Sequence, residues 1–205
     1  MSDAQNISEF SLGEAVLELR WRLAYGTLLL KNRHLRSLRA LDLPDGLLSW
    51  AHQHIEWTLP EGSAYDPMGV LRLRIDDEFH AQMDIVAYEE LQDTSLASLI
   101  KRVEKPNPLA PKTIKAELLW AYANDEVLIP AEKDEVLSGA NSLATDLFKT
   151  LKMPLSFKKA IDYELCDEVF LVSDEFGFVS ASDKSGALSE QLSERWEKLI
   201  RSARE

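Results

Sequence analysis

Cysteine is almost absent from this chain. Its 205 residues include one, Cys166, so no intramolecular disulfide forms and a packed core must hold the fold. His34, His52, His54 and His80 all lie far upstream of that thiol, which reads as a small buried hydrophobe rather than a nucleophile. Long apolar runs are missing too; none approaches the roughly 18 residues of a membrane span. Positive charge is scarce: 23 Lys and Arg stand against 35 Asp and Glu, a net charge of −12. That balance excludes a nucleic-acid binder that works by neutralising phosphates, and a protein held on an anionic leaflet. There is no Walker loop, no GxGxxG, no Cys/His spacing of a zinc site, no internal repeat and no low-complexity segment. Met1 to Ser8 is a polar, acidic tail, unlike a signal or transit peptide. The expectation is a soluble, cytoplasmic protein that partners neither nucleic acid nor membrane.

What is present is globular in balance, 45% hydrophobic and 28% charged, in a chain long enough for one large domain or two lobes. Leu17, Leu19, Trp21 and Leu23 alternate with Glu18, Arg20 and Arg22, as a half-buried strand does. Gly26 turns that strand into a hairpin. Asn32 and Asp45 are placed to cap two helices. Val70 to Ile75 and Phe79 to Tyr88 alternate as two more strands, with Asp76, Asp77 and Glu78 in the turn between them. A further strand is expected near Leu96 to Val103. Pro106, Pro108 and Pro111 then read as a stiff connection, which divides the chain into an N-terminal lobe, 1–107, and a C-terminal lobe, 108–205. The second lobe is expected to hold a helix near Thr113 to Ala123, a strand at Glu126 to Ile129, a helix opening at Ser138-Gly139, strands at Leu155–Ile161, Glu168–Ser173 and Phe176–Ser180, and a last amphipathic helix over Leu188–Ala203. Strands and helices mix without a strict βαβ beat, so the class is α+β or α/β with two lobes.

Few residues carry a chemical signal by themselves. His52 and His54 cannot share a helix face and form no metal pair. His34 sits among Arg33, Arg36 and Arg39 and reads as packed or surface. Arg20, Arg22, Arg72 and Arg74 form either a solvated sheet face or a pocket for carboxylates, since arginine offers a bidentate fork. Asp174-Glu175 reads as a solvated turn. Ser138 to Ser142 opens a helix with small polar residues, which serves as an ordinary cap or as a place for phosphate. Lys112 follows the proline connector; it reads as a Schiff-base nucleophile if its ammonium is desolvated, and on local sequence alone as one surface lysine among many.

Taken in order, these pieces resemble the class IV aminotransferases, the fold-type IV pyridoxal-phosphate enzymes that include branched-chain and D-amino-acid aminotransferases and aminodeoxychorismate lyase. The stretch Cys166 to Ser173 with Gly177-Phe178-Val179 carries most of the likeness. Leu137-Ser138-Gly139 with the helix to Leu151, Glu18 to Trp21 with Arg33-His34-Leu35, and Val70 to Ile75 follow. Together they span about Phe10 to Gly186. The resemblance implies a two-lobed homodimer that holds pyridoxal phosphate between its lobes. Lys112 falls at the family's cofactor-anchoring lysine. Asn141, Ser142 and Ser173 fall at or beside phosphate-binding positions, and Arg20 or Arg72 is implied to hold the carboxylate of a small amino substrate. The chain also departs from the family. Ser37 stands where the family has a phosphate arginine, Asn141-Ser142 replaces Thr-Arg, and Asp174 replaces a Ser or Thr. Only Pro130 to Val136 fills the interval where the family inserts a hairpin carrying the glutamate of the pyridine nitrogen. Two functions follow as expectations: an aminotransferase- or lyase-like enzyme, or a non-catalytic member that keeps the scaffold for binding or assembly.

Overall fold

The computed structural model describes residues 12–204; the expected acidic tail, Met1 to Ser8, lies outside them. The first lobe is a four-stranded antiparallel sheet. β1 (Ala15–Ala24), β2 (Thr27–Leu28), β3 (Val70–Asp76) and β4 (Ala81–Val86) lie in the order β2-β1-β3-β4. Register pairs Leu19 with Leu73 and Trp21 with Leu71, so the apolar residues of both strands share one face. That face packs against α1 (Lys31–Leu38) and α2 (Asp45–Gly62) through Leu35, Leu38, Ala51 and Ile55. Asn32 and Asp45 do not cap these helices. Leu30 and Pro44 occupy the cap positions, and neither Asn32 nor Asp45 lies outside its helix.

The second sheet runs β11-β10-β6-β7-β9, from β6 (Glu117–Ala123), β7 (Glu126–Ile129), β9 (Leu155–Phe157), β10 (Glu168–Ser173) and β11 (Gly177–Ser180). Only β7 and β9 pair in parallel. Helices cover both faces. α4 (Gly139–Thr150) and α5 (Ala187–Ser202) meet Trp120, Phe170, Val172 and Phe178. α3 (Leu96–Glu104) covers the opposite face, on Leu119, Ala121, Val169 and Leu171. A short parallel ladder of β5 (Ile114–Lys115) with β8 (Val136–Leu137) leads the chain into α4.

Two expectations are corrected here. Leu96 to Val103 is helix, not strand. Leu96, Leu99, Ile100 and Val103 recur at helical spacing, and Ser95 caps the first turn by accepting the Ser98 N–H at 3.3 Å. Residues 113–123 are two strands, not a helix. β6 is central and covered on both sides, so Leu118 to Ala121 are all buried and no alternation survives to mark a strand. Cys166 is packed as expected, with burial first among the causes that push its thiol up.

Candidate functional site

A cleft of about 780 Å³ opens between the lobes. β1 supplies Glu18 and Arg20, the proline connector supplies Lys112, and the β10–β11 turn supplies Ser173, Asp174 and Glu175. Arg20 holds Glu175 with both prongs, Nε to Oε2 and NH2 to Oε1, each at 2.7 Å, with Glu18 3.6 Å away. The hydrogen bond to Glu175 is the main reason its guanidinium holds its proton more tightly than usual. Arg102 donates to Glu117 at 2.8 Å and lies over the Phe176 ring. Lys115 pairs with Glu135 at 3.0 Å; the Glu132 N–H first, then Lys115, hold the Glu135 carboxyl below its usual range. Tyr163 donates its hydroxyl to the Leu119 carbonyl at 2.8 Å, and burial pushes its phenol up to about 12.

Deeper in, the first turn of α4 meets the β10–β11 turn. Ser138 occupies the N-cap position, yet its own hydroxyl does not cap the helix. Asp174 does so from across the fold. Its Oδ1 accepts the Ala140 N–H at 2.7 Å and the Ser138 hydroxyl at 2.9 Å. A carboxylate at a helix N-terminus meets the positive end of the helix dipole and bonds with charge assistance. The Asp174 carbonyl in turn accepts the Arg22 N–H at 3.1 Å, which ties the turn to β1. His34 stands on the other side of the carboxylate. It is 1% exposed and stacked on Trp21 at 5.0 Å, and its Nδ1 lies 3.5 Å from Asp174 Oδ2 without a hydrogen bond. The ring sits directly over Gly139, where a Cβ would meet Nδ1 at 2.5 Å.

The residues singled out in the sequence are dispersed among several roles. Lys112 is exposed at the cleft and forms no hydrogen bond or ion pair with a described residue. Arg20 lines the cleft, but its fork is engaged by Glu175. Arg72 does not line it; it forms a two-pronged pair with Asp84 across β3 and β4, at 2.9 and 2.6 Å. Asn141 is fully buried, accepting the Trp120 indole N–H at 2.8 Å and donating to the Lys115 carbonyl at 3.1 Å and the Ser138 hydroxyl at 3.2 Å. Ser142 accepts from Arg33 at 2.8 Å and ties α4 to α1. Ser173 accepts the N–H groups of Glu175 and Phe176 and shapes the turn. Ser37 is buried and donates to the His34 carbonyl.

Asp174 and Glu175 are not the solvated turn acids their position suggests: they are 5% and 9% exposed, and both are partnered. His34 was equally hidden, since nothing in its local sequence marks it as facing a carboxylate 140 positions away. These facts decide how well pyridoxal phosphate fits. An amine is available at the cleft, but the α4 N-terminus, where the resemblance places the phosphate, already holds a carboxylate. A phosphate dianion beside Asp174 would meet like charge, so the residues present do not fit a phosphate there.

Neither a scan against protein-family models nor a search of curated proteins finds a match. Solved structures do. A 4-amino-4-deoxychorismate lyase from Pseudomonas aeruginosa is 16% identical at a TM-score of 0.58, covering 89% of this chain and 90% of that one. A fold IV-transaminase from Curtobacterium pusillum is 11% identical at 0.56, covering 97% and 90%. An aminotransferase from Brucella abortus, bound to the cofactor PLP, is 13% identical at 0.54, covering 94% of each. With this two-sheet arrangement and these likenesses along nearly the whole chain, the protein has the fold-type IV architecture of aminotransferases and aminodeoxychorismate lyases.

Proposed function

We propose that the interlobe cleft binds a small amino compound bearing a carboxylate, and that the chain acts on it as an aminotransferase- or aminodeoxychorismate-lyase-like enzyme with Lys112 as the amine of the site. The charge of the cleft carries this reading. In a chain of net charge −12, the cleft lining has five Lys and Arg against four Asp and Glu. All four acids are engaged, Glu18 and Glu175 with Arg20, Glu117 with Arg102, and Asp174 with α4. Lys105 and Lys112 are left without an ion pair to any described residue. A local excess of unpaired ammonium groups draws an anionic ligand and orients its carboxylate. Pyridoxal phosphate is the cofactor this reading calls for. Its phosphate does not fit the α4 terminus, which Asp174 already fills, so the reading rests on the cofactor's aldehyde reaching Lys112 and not on a phosphate seat there. A cytoplasmic homodimer is proposed with the same reading, and sedimentation measures the dimer.

The test adds pyridoxal phosphate to the purified protein and follows visible absorbance. The expected result is the band of a lysine-bound cofactor, lost in Lys112→Ala while circular dichroism shows the fold intact. No band in the wild type, or a band unchanged in Lys112→Ala, overturns Lys112 as the site amine. A second reading, the non-catalytic scaffold, rests on the Asp174 carboxylate, which fills the α4 N-terminus where the resemblance puts a phosphate. On that reading the protein shows no band and still binds a small amino carboxylate such as 4-aminobenzoate, with Lys112→Ala and Lys105→Ala weakening that binding.

A further inference from the structure

We infer that Asp174 is the resident anion of the α4 N-terminal cradle and closes that cradle to phosphate. The cradle has the parts an anion site needs. The Ala140 N–H points into it at the positive end of a twelve-residue helix, and the Ser138 hydroxyl donates into it. Gly139 has no side chain to block it. The His34 imidazole, 1% exposed, aims into it a ring nitrogen that makes no hydrogen bond. That nitrogen is an observation independent of the helix end: a buried polar atom left facing an anion.

The carboxylate reaches the cradle on a rigid mount. Its carbonyl is held by the Arg22 N–H, and its turn by the Ser173 hydroxyl accepting two backbone N–H groups. An anion tethered this way competes at high effective concentration, so free phosphate must displace it or share the site with it. Either course costs affinity. The inference concerns the cradle and needs nothing of Lys112, so it stands or falls apart from the proposed enzyme reading.

The experiment titrates inorganic phosphate into the wild type and Asp174→Ser by calorimetry, with phosphorus NMR linewidths as a second readout. The shortened side chain vacates the cradle. The expected result is no saturable binding to the wild type, binding at least about tenfold tighter in Asp174→Ser, and loss of that gain when Ser138→Ala is added. If Asp174→Ser does not fold, Asp174→Asn replaces it, since its neutral amide keeps one acceptor oxygen at the turn and removes the charge that opposes phosphate. Two results overturn the inference: saturable phosphate binding to the wild type that Ser138→Ala abolishes, or no gain in any folded Asp174 variant.

Discussion

Gly139→Ala tests the packing of the cradle most sharply, because two effects oppose each other there. In an ordinary helix, alanine in place of glycine is favourable by about 1 kcal/mol. At Gly139 the backbone is in no region that penalises a side chain, so that gain would be realised if there were space. There is none: the new Cβ would stand 2.5 Å from His34 Nδ1 and 2.6 Å from Cε1, well inside ordinary contact. His34 cannot retreat freely, since its ring is buried and stacked on Trp21 at 5.0 Å. Forcing a methyl into a packed core costs about 1–3 kcal/mol. The clash outweighs the gain, and Gly139→Ala is destabilising by up to about 2 kcal/mol net. Denaturant unfolding reads this as a lower midpoint at unchanged slope. In a His34→Ala background the same substitution becomes neutral or stabilising, a coupling of about 1 kcal/mol or more in a double-mutant cycle. A Gly139→Ala protein more stable than the wild type would show that the His34 ring gives way and that no clash opposes the new methyl.

Four further outcomes are expected. Arg20→Ala leaves Glu175 buried without its fork partner and lowers stability by about 1–2 kcal/mol, discounted because Arg20 is itself partly exposed. Arg72→Ala, which removes a partly exposed cross-strand pair, costs less than about 1 kcal/mol by the same denaturant assay. Asn141→Ala strands the buried Trp120 indole N–H and lowers stability by about 1–3 kcal/mol, measured as a drop in unfolding midpoint. The Tyr163 phenol is raised, to about 12, by burial, so the folded state holds its proton longer than the unfolded state. Its stabilising effect is complete below the ordinary phenol range near 10 and is lost as pH rises from there through about 12. Tyr163→Phe therefore flattens the alkaline loss of stability, and an unchanged alkaline limb would contradict this.

The scaffold was legible where one face of an element is dry and the other wet. β1 and β3 alternate along their length, and α5 keeps an apolar stripe, so their positions read directly from the chain. β6 reads as helix in the sequence because burial on both faces erases the alternation, and α3, although Leu96, Leu99, Ile100 and Val103 stand at helical spacing, spans only nine residues, a length at which helix and strand patterns are hard to separate. The cleft residues Lys112 and Arg20 were legible as positions, since a proline connector and an alternating strand mark them. The cradle was not. Asp174 and Ser138 are 36 positions apart, and whether a turn acid is solvated or capping a distant helix depends on tertiary contacts that no local pattern records. His34 shows the same limit from the other side: its neighbours are arginines, while its ring faces Trp21, Gly139 and a carboxylate.

The α4 N-terminus is filled by the chain's own carboxylate. An experimental structure from crystals soaked in pyridoxal phosphate measures this directly. The expected result is Asp174 Oδ1 still within hydrogen-bond distance of the Ala140 N–H and the Ser138 hydroxyl, with no phosphate between them. A phosphate seated on the Ala140 N–H, with the Asp174 side chain turned away, would contradict it.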